Sequence, residues 1–411
     1  MGLASSATLR APTPLLERAR RAFFRSFFRI LLGFVAVAEW AAVAWVLHAF
    51  GVGVPAVLHL VVPLAVVVVN TRLVLPRTYR HPLAVRLVRV YVACAFTAIF
   101  CTLFLALAGV VWCAGALVSP VLSPATVSTL ARVHFWLTNA GVAVVAGLLA
   151  WGYTFGQREL VVSRHRIPIA GLPAELAGLR IAHLSDLHIG RHLDLRELEE
   201  HVRRVNALEP DLVCLTGDLV DHPDTCAAAF PTLAGLRARH GVLVTLGNHD
   251  VYAGAETVTA ALRRLTDFTV LRNDCARIGA NRATLAVLGV DDLGLDWARG
   301  VPEHPALPPL ARSVGEDEPF IVLSHRPDCF PQAARLGAAL VLSGHTHGGQ
   351  LGLPFGGSRI RNLAEFITAF PRGLYREGMA VLYVNRGLGF TGQRVRLFTS
   401  REIAVLELHP S

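Results

Sequence analysis

The chain has 411 residues, long enough for a membrane region and one catalytic domain of ordinary size. Its hydrophobic content of 53% and charged content of 17% are unusual for a soluble protein, and its net charge of +9 is unevenly distributed. Residues 1–157 contain twelve arginines, two glutamates and no aspartate, whereas the other 254 residues contain 27 arginines and 28 acidic residues. Because the N-terminal arginines flank apolar stretches and do not form a groove, they indicate membrane orientation and argue against nucleic acid as a partner.

Seven cysteines are spread over the chain, three within an apolar stretch and four in the polar half. No two of them are spaced as a CxxC pair or another metal-binding pair. This pattern excludes a disulfide framework and a zinc ribbon, and it predicts reduced, structural thiols.

The predicted N-terminal region, residues 1–157, is an all-α membrane domain of about four helices. A hydrocarbon core about 30 Å thick requires about 20 apolar helical residues to cross it. The second predicted span is the shortest and contains Pro55 and Pro63. The four predicted spans are Ile30–Phe50, Val52–Val69, Val90–Val118 and Val133–Tyr153.

Arginines set the predicted orientation of these spans. Six of them, from Arg10 to Arg29, precede the first span, and five, from Arg72 to Arg89, lie between the second and third. Four spans with both termini inside satisfy the positive-inside rule, which predicts a multi-pass protein of a bacterial inner membrane with residues 154–411 in the cytoplasm. An alternative stays open because Arg20-Arg21-Ala22-Phe23-Phe24 resembles a twin-arginine export signal, which would place the catalytic domain outside.

Residues 158–411 form the predicted catalytic domain. From about Leu179, short β-rich runs alternate with helical ones, which predicts an α/β domain with helices packed outside a sheet. Asp194 is the predicted N-cap of a helix that continues to about Ala207. Two further helices are predicted, one ending near Arg239 and one over Ala255–Leu265, and Gly294–Gly315 is predicted to be a surface loop. The predicted strands are Leu179–Leu184, Leu212–Thr216, Val242–Leu246, Ala283–Gly289, Phe320–Ser324, Ala339–Ser343, Met379–Val384 and Ile403–Leu408.

Five polar clusters follow predicted strands, at the carboxyl ends where α/β domains place their active sites. Each cluster alone is a weak signal, but five in this order, each terminating an apolar strand, indicate one assembled site. The clusters are Ser185-Asp186-Leu187-His188, Gly217-Asp218, Gly247-Asn248-His249-Asp250, Ser324-His325 and Gly344-His345-Thr346-His347-Gly348-Gly349-Gln350.

This order of D-x-H, G-D, G-N-H-D, H and G-H-x-H resembles the motif pattern of the calcineurin-like metallophosphoesterase superfamily. The extended G-H-T-H-G-G-Q, with the later Gly373-Leu374-Tyr375 and Arg386-Gly387-Leu388-Gly389, resembles its bacterial membrane-associated phosphodiesterase branch, which is related to UDP-2,3-diacylglucosamine hydrolases. The resemblance covers about residues 160–408. It implies a four-layer αββα sandwich for the catalytic domain, preceded here by the membrane helices.

The resemblance also implies a site for two divalent metal ions. Such ions, about 3.5–4 Å apart, can hold both the attacking and the leaving oxygen of a displacement at phosphorus. Mixed oxygen and nitrogen ligands without cysteine favour Mn²⁺, Fe²⁺ or Fe³⁺, or Zn²⁺. The bridging position suits an aspartate, which carries two oxygens on one short arm. The implied ligands are Asp186, His188 and His347 for the first ion, Asn248, His325 and His345 for the second, and Asp218 as the bridge.

Other residues near the motifs are candidates for catalysis and substrate binding. By the resemblance His249 is not a ligand, and it can face the substrate and donate to the phosphoryl oxygen or the leaving group. Asp250 is its candidate orienting partner. Arg191, Arg326 and Arg386 are candidate substrate-phosphate ligands, and ion pairing at the surface is the alternative for each.

The leading hypothesis is a membrane-anchored hydrolase that cleaves a phosphodiester or pyrophosphate bond. Anchoring suits an amphiphilic substrate, because such a molecule concentrates at the bilayer surface, so a lipid-linked or nucleotide-linked substrate is expected, with membrane lipid as a partner. Two alternatives stay open: a general or cyclic-nucleotide phosphodiesterase that is merely anchored, and a non-enzymatic membrane sensor or scaffold with the same fold. Loss of a metal ligand would favour the scaffold, and every implied ligand is present.

Overall fold

A computed structural model describes residues 33–71, 82–190, 192–280, 283–294, 298, 300–355 and 360–411. The chain divides into two compact units, Met1–Ala150 and Trp151–Ser411. The arginines predicted to precede the first span, including the Arg20-Arg21 pair, lie outside the described residues, as do Arg72, Arg77 and Arg80.

The described part of the first unit is helical. Its helices are α1 (Gly33–Ala49), α2 (Leu58–Val69), α3 (Pro82–Val118) and α4 (Pro124–Thr154), the last of which runs on into the second unit. Among the described residues, two segments are long and apolar enough to cross a membrane, Leu83–Val121 and Pro124–Arg158.

The prediction of four membrane-crossing helices is therefore wrong for the described residues. At about 1.5 Å per residue, the 12 residues of α2 reach only about 18 Å, which falls short of a hydrocarbon core about 30 Å thick. The chain around Pro55 is not helical, which shortens α2 at its N-terminal end. The third and fourth predicted spans lie within α3 and α4, which begin earlier than predicted.

The second unit is built on two six-stranded sheets. Sheet I has the strand order β1-β14-β2-β3-β4-β5, and sheet II has the order β12-β13-β9-β8-β7-β6. A separate antiparallel ribbon pairs β10 (Gly352–Pro354) with β11 (Ile360–Asn362). Sheet I comprises β1 (Leu160–Ile169), β2 (Arg180–Leu184), β3 (Leu212–Thr216), β4 (Val242–Thr245), β5 (Thr269–Val270) and β14 (Arg401–Pro410). Sheet II comprises β6 (Asp274–Ala280), β7 (Ala283–Val290), β8 (Phe320–Ser324), β9 (Leu340–Ser343), β12 (Gly373–Glu377) and β13 (Ala380–Val384).

Three buried apolar cores separate four layers. The central core lies between the sheets, and β2 shows how it forms: Ile181 packs into it, while Ala182 and Leu184 point to the opposite face of sheet I. The second core packs sheet I against three helices, and the third packs sheet II against two. The layers are therefore helix, sheet, sheet and helix, as the resemblance implies. The packed helices are α5 (Leu195–Asn206), α6 (Cys226–Leu233) and α7 (Asn248–Leu265) on sheet I, and α8 (Leu307–Arg312) and α9 (Phe330–Arg335) on sheet II.

Strand direction brings the predicted clusters to one region of the domain. In sheet I, β2, β3 and β4 pair in parallel, and in sheet II, β8 and β9 pair in parallel. The loops that follow these five strands carry the five clusters. Because parallel strands end at the same edge of a sheet, each sheet presents its clusters at one edge.

Most predicted strands are confirmed, and two of them, Leu212–Thr216 and Phe320–Ser324, agree to the residue. The helices agree less well. The helix predicted to end near Arg239 ends at Leu233, and the one predicted from Ala255 begins at Asn248 because it continues across a non-helical Gly254 with φ of 109°. The predicted loop Gly294–Gly315 contains α8.

Strand β1 was not predicted, and its position in the sheet explains why. It is the edge strand of sheet I, and its sequence mixes apolar residues with Arg164, His165 and Arg166. Edge strands tolerate charged residues because part of their surface meets solvent, so the apolar signal of a buried strand is absent. Strands β6 and β12, which also lie at sheet edges, were missed for the same reason.

The predicted N-cap of α5 is confirmed, since Asp194 Oδ1 accepts a hydrogen bond of 2.9 Å from the backbone N–H of Glu197. We expect Asp194→Ala to lower the free energy of unfolding by about 1 kcal/mol, because it leaves an N–H of the first turn without its side-chain acceptor. Urea unfolding of the full chain in detergent measures the change. Asp194→Asn keeps a capping oxygen and is the control, and equal unfolding midpoints for the alanine variant and the unsubstituted chain would contradict the assignment.

Candidate metal centre

The loops after β2 and β3 are joined by backbone hydrogen bonds. Asp186 N–H donates to Gly217 O at 3.1 Å, and His188 N–H donates to Asp218 O at 3.0 Å. A third loop joins them where His345 N–H donates to the carboxylate of Asp186 at 3.0 and 3.1 Å. These bonds hold side chains distant in the sequence in one buried cluster.

Three groups of three potential metal ligands lie in this cluster, and two of them consist of implied ligands; the other is His188, Asp221 and His249. Within each group the ligand atoms lie within 4.8 Å of one another. Asp218 connects the groups, because its Oδ2 lies 3.2 Å from His325 Nε2 and 3.5 Å from His188 Nε2. The first group is Asp186, His188 and His347, and the second is Asp218, His325 and His345.

Asn248 is the first residue of α7 and is buried beside the second group. The next backbone N–H, that of His249, donates to Asp218 Oδ1 at 2.9 Å, which ties the start of the helix to the shared carboxylate. Among the residues that the structure describes, no donor reaches the buried Asn248 Oδ1. A buried amide oxygen without a donor is costly unless it binds a cation, so its position fits a metal ligand.

Three of the histidines have one ring nitrogen fixed by a hydrogen bond, which leaves the other available to a metal. His325 Nδ1 donates to Thr216 O at 2.7 Å, and His345 Nε2 donates to Ala298 O at 2.9 Å. His188 Nδ1 lies 2.7 Å from Asp221 Oδ1, so its Nε2 faces Asp218. Metal-binding histidines commonly show this arrangement, in which the second nitrogen is oriented by an acceptor.

Backbone conformation at the cluster is strained. Five of the seven implied ligands have positive φ, a region that residues other than glycine rarely adopt. Each such residue costs on the order of 1–3 kcal/mol, so the surrounding hydrogen bonds must hold it in place. Strain of this kind concentrates at functional sites. The five are Asp186 (54°), His188 (47°), Asp218 (54°), His345 (69°) and His347 (50°).

Burial lowers the pKa of the histidines in the cluster, whereas the carboxylate of Asp218 raises it. Burial, followed by the nearby His325, lowers the pKa of His345 to about 3, and burial, followed by His188, holds the pKa of His347 well below its usual range. Both rings are therefore neutral, which is the state that binds a metal. Burial alone would lower the pKa of His325 as well, but Asp218 outweighs it and raises that pKa to about 10.

Glycine is required where the last loop approaches the first. A Cβ at Gly344 would overlap both Ser185 Oγ and Asp186 Oδ2. Only glycine, which has no Cβ, allows the two loops to approach this closely.

Asp221 is a functional candidate that the sequence analysis missed. Its Oδ1 lies 2.7 Å from His188 Nδ1 and 2.8 Å from His249 Nδ1, so one carboxylate orients a candidate ligand and a candidate proton donor. Burial would raise the pKa of Asp221, but its hydrogen bonds with the two imidazoles hold that pKa far below its usual value. The only signal in the sequence was its position three residues after Asp218 on the same loop.

The prediction that Asp250 orients His249 is wrong, because the partner of His249 is Asp221. Asp250 lies in the first turn of α7, and its carboxylate accepts backbone N–H groups from Leu219, Val220 and Gly247 at 2.9–3.1 Å. These bonds explain its position, because a fully buried carboxylate at a helix N-terminus is stabilised by free N–H donors. Asp250 thus joins the loop after β3 to the start of α7.

Two of the three arginines predicted to bind substrate phosphate are described by the structure, and both pair with a carboxylate. Arg191 lies outside the described residues. Arg326 Nε lies 2.5 Å from Asp292 Oδ2, and Arg386 Nη2 lies 3.0 Å from Glu402 Oε1. Both described arginines therefore form ion pairs, the alternative named for them, although these pairs are largely buried and do not lie at the surface.

A family comparison agrees with this geometry. The family model of the calcineurin-like phosphoesterases matches residues 179–349, which include all seven implied ligands. YkuE of Bacillus subtilis, an uncharacterized metallophosphoesterase, is 33% identical over 277 residues that cover 65% of this chain and 93% of that protein. The chain belongs to the calcineurin-like metallophosphoesterases.

Two other relatives of this metallophosphoesterase are informative by name. A transmembrane protein with a metallophosphoesterase domain from Danio rerio is 31% identical over 281 residues, 67% of this chain and 63% of that protein. The UDP-2,3-diacylglucosamine pyrophosphatase LpxG of Chlamydia trachomatis is 26% identical over 298 residues, 57% of this chain and 84% of that protein. Membership places the chain among the phosphoester hydrolases.

A buried arginine, Arg396, binds the backbone of two loops at the metal centre of this metallophosphoesterase. Arg396 is 1% exposed, and its guanidinium donates to His347 O at 3.0 Å and to Gly389 O at 2.8 Å, with a third bond to Gly387 O at 3.2 Å. Burial, with the nearby Arg401, lowers the pKa of Arg396 to about 9, so it remains charged at neutral pH. Gly389 N–H in turn donates to Asp186 O at 2.7 Å, so Arg396 links the backbone at two candidate ligands.

We expect Arg396→Met to lower the free energy of unfolding by about 3 kcal/mol or more, because three buried carbonyls lose their donor. Metal affinity should fall as well, since the His347 loop is then free to leave its strained conformation. Thermal unfolding and metal content of the purified full chain measure the two effects, with the exposed Arg376→Met as the control. Unchanged metal content in a folded Arg396→Met chain would contradict the role in positioning His347.

Proposed function

We propose that this metallophosphoesterase uses two divalent metal ions to hydrolyse a phosphodiester or pyrophosphate bond in an amphiphilic substrate at a membrane surface. The observation that carries the proposal is the Asp218 carboxylate, which lies 3.2 Å from a nitrogen of one group and 3.5 Å from a nitrogen of the other. A carboxylate shared in this way suits a bridging ligand. In the proposal Asp186, His188 and His347 hold the first ion, and Asn248, His325 and His345 hold the second.

The donor set supports Mn²⁺, Fe²⁺ or Fe³⁺, or Zn²⁺, because it combines imidazole nitrogens with carboxylate and amide oxygens and no thiolate. When bound, the ions supply positive charge that stabilises the phosphoryl oxygens during displacement. Two features of the residues in the cluster favour metal binding. Asp186 and Asp218 bring negative charge to the cluster, and the imidazoles are oriented by acceptors beyond it.

His249 is the proposed proton donor to the leaving group. Its side chain is 33% exposed, whereas those of His188 and His325 are at most 1% exposed, so it can meet a bound substrate. Its Nδ1 is held by Asp221 Oδ1, which leaves Nε2 for the substrate. An imidazole fixed at one nitrogen by a carboxylate is well suited to deliver a proton from the other.

The proposed substrate class rests on the membrane region and on one relative. Among the residues that the structure describes, two segments are long and apolar enough to cross a membrane, and a substrate with acyl chains concentrates at a membrane surface. LpxG, by its name, cleaves the pyrophosphate of a diacylated sugar nucleotide. We place the protein in a bacterial inner membrane as a multi-pass protein with its catalytic domain in the cytoplasm. The two segments found among the described residues are, like the four predicted spans, even in number, and the arginines from Arg72 to Arg89 mark the side before them as the inside.

Metal removal tests the dinuclear site. Chelation of the purified full chain should abolish hydrolysis of bis-(p-nitrophenyl) phosphate and lower thermal stability, by about 2.7 kcal/mol when the metal had been present at about 100 times its Kd. Mn²⁺ should restore both. Asp218→Asn is the matched variant: it should be inactive, and its unfolding should respond much less to Mn²⁺. An Asp218→Asn chain with full activity would exclude the proposed site, and an inactive but stable unsubstituted chain would favour the scaffold alternative.

Leaving-group chemistry tests the role of His249. His249→Ala should lower kcat by about 10²–10⁴-fold for an alkyl phosphodiester, because a poor leaving group needs the proton. The loss should be much smaller for p-nitrophenolate, which leaves without one. Asp221→Asn should show the same dependence with a loss of about 10–100-fold. Equal losses for both leaving groups would contradict proton donation.

A substrate panel separates the proposed substrate from a soluble one. Lipid-linked pyrophosphates and phospholipid-like diesters in detergent micelles should be hydrolysed with a higher kcat/KM than cyclic or linear nucleotides of the same bond type. Preference for a soluble nucleotide, with no gain from micelles, would establish the anchored nucleotide phosphodiesterase instead.

A further inference from the structure

Large apolar side chains are exposed on the β10–β11 ribbon and the turn that follows it. They are Leu353 (62% exposed), Phe355 (67%), Leu363 (49%) and Phe366 (81%), and we call these four residues the apolar lip. Single exposed apolar residues are ordinary on protein surfaces. Four of them on one small ribbon and its adjoining turn form a patch, and patches of this kind mark interaction surfaces.

The lip is an ordered structure. Asn362 ends β11 and caps the turn, since its Oδ1 accepts from Ala364 N–H at 3.0 Å while its own N–H donates to Glu365 at 3.2 Å. Glu365 also pairs with Arg361 at 2.8 Å, which neutralises the acidic group of the turn. The exposed apolar groups are therefore presented by a fixed backbone, and the adjacent carboxylate is already compensated.

The lip lies beside the metal centre. Strand β10 begins directly after the G-H-T-H-G-G-Q segment, and a Cβ at Gly349 would overlap the side chain of Asn362. At its other side, Gly352 N–H donates to Leu397 O at 2.8 Å. The ribbon is thus attached to the segment Gln393–Phe398, which also contains Arg396, the support of the His347 loop.

The same segment, Gln393–Phe398, receives the end of the last apolar helix. The ring of Trp151 stacks on that of Phe398 with centroids 6.2 Å apart, and Arg394 Nε donates to Gln157 Oε1 at 2.7 Å. Trp151 and Phe155 are themselves 40% and 63% exposed. The apolar surface of the helix end and the lip therefore share one support within the second unit.

These contacts lead to a specific partner. The helical segment Pro124–Arg158 is long and apolar enough to cross a membrane, so its C-terminal end marks where the chain leaves the lipid. Tryptophan, as at position 151, is favoured at that depth, and exposed phenylalanine and leucine side chains on a membrane-facing surface bury at the boundary of headgroups and acyl chains. We propose that the apolar lip contacts the bilayer in which the chain is anchored, with its phenylalanines at the boundary of headgroups and acyl chains.

This contact turns the edge that carries the metal centre toward the lipid. A substrate with acyl chains could then bring its phosphate to Asp218 and His249 while its chains stay in the bilayer. That consequence rests on the proposed function, whereas the contact between lip and bilayer does not.

Lipid quenching tests the contact without any need for activity. Phe355→Trp in the full chain, reconstituted into phosphatidylcholine–phosphatidylglycerol vesicles, adds one emission to those of the six native tryptophans. Lipids brominated near the top of the acyl chain should quench the added emission. Met379→Trp is the matched control, because Met379 is 69% exposed and precedes β13, at the end of that strand opposite the metal centre. Equal quenching at both positions, or none at Phe355→Trp, would overturn the proposal.

Substrate use tests the consequence. In Phe355→Ser/Phe366→Ser, kcat/KM for a lipid phosphodiester in vesicles should fall by about tenfold or more, because two aromatic side chains leave the interface. The rate with bis-(p-nitrophenyl) phosphate should not change, and Met379→Ser should change neither. Equal losses with both substrates would count against the lip as an access surface. Quenching at Phe355→Trp without hydrolysis of any lipid would support the contact and reject the proposed substrate class. Protection of this tryptophan that depends on protein concentration, without lipid quenching, would assign the lip to a second copy of the chain and overturn the proposal.

Discussion

The candidate site depends on one buried carboxylate, that of Asp218. Its two oxygens meet two histidines and a backbone N–H, so several partners offset the cost of burying this carboxylate. Each group of ligands draws on both sheets. In the first group, Asp186 and His188 follow a strand of sheet I, and His347 follows a strand of sheet II. In the second group, Asp218 follows a strand of sheet I, and His325 and His345 follow strands of sheet II. The two halves of the sandwich are therefore joined chemically at this cluster, and displacement of either sheet would disrupt both groups.

The surrounding structure holds this point against local strain. Left-handed conformations at five candidate ligands would relax in an isolated peptide, and here they are held by hydrogen bonds from other loops. Asp250 fastens the loop after β3 to the start of α7, and Arg396 fastens the loop of His347 to the loop that carries Gly387 and Gly389. Both residues are buried, and both bind backbone groups. They convert flexible loop backbone into a rigid support for ligands.

The membrane region shows how helix length limits an interpretation from hydropathy. The described helices α1 to α4 are all apolar, but within the described part of the chain only the segments containing α3 and α4 have the length that a bilayer requires. The length of α4 matters for the catalytic domain as well, because its last turns pack on Gln393–Phe398, which adjoins the metal centre. One segment of the second unit thus contacts both the end of α4 and the loop of His347.

The amino-acid sequence by itself determined the α/β class and most of the strands, and it predicted the candidate ligands that the fold brings together. It could do so because buried parallel strands are continuous apolar runs, and because the residues that follow them share one edge of the sheet. The tertiary structure decided which side chains meet. Asp221 and Asp250 are both aspartates close to the motifs, so the sequence does not distinguish them. The path of the loop after β3 directs Asp221 to His249, and the early start of α7 directs Asp250 to backbone N–H groups. The partners of Arg326 and Arg386, Asp292 and Glu402, lie 34 and 16 residues away, so local pattern could not predict those ion pairs. Side-chain contacts of this kind depend on backbone dihedral angles in loops, which composition and periodicity do not specify.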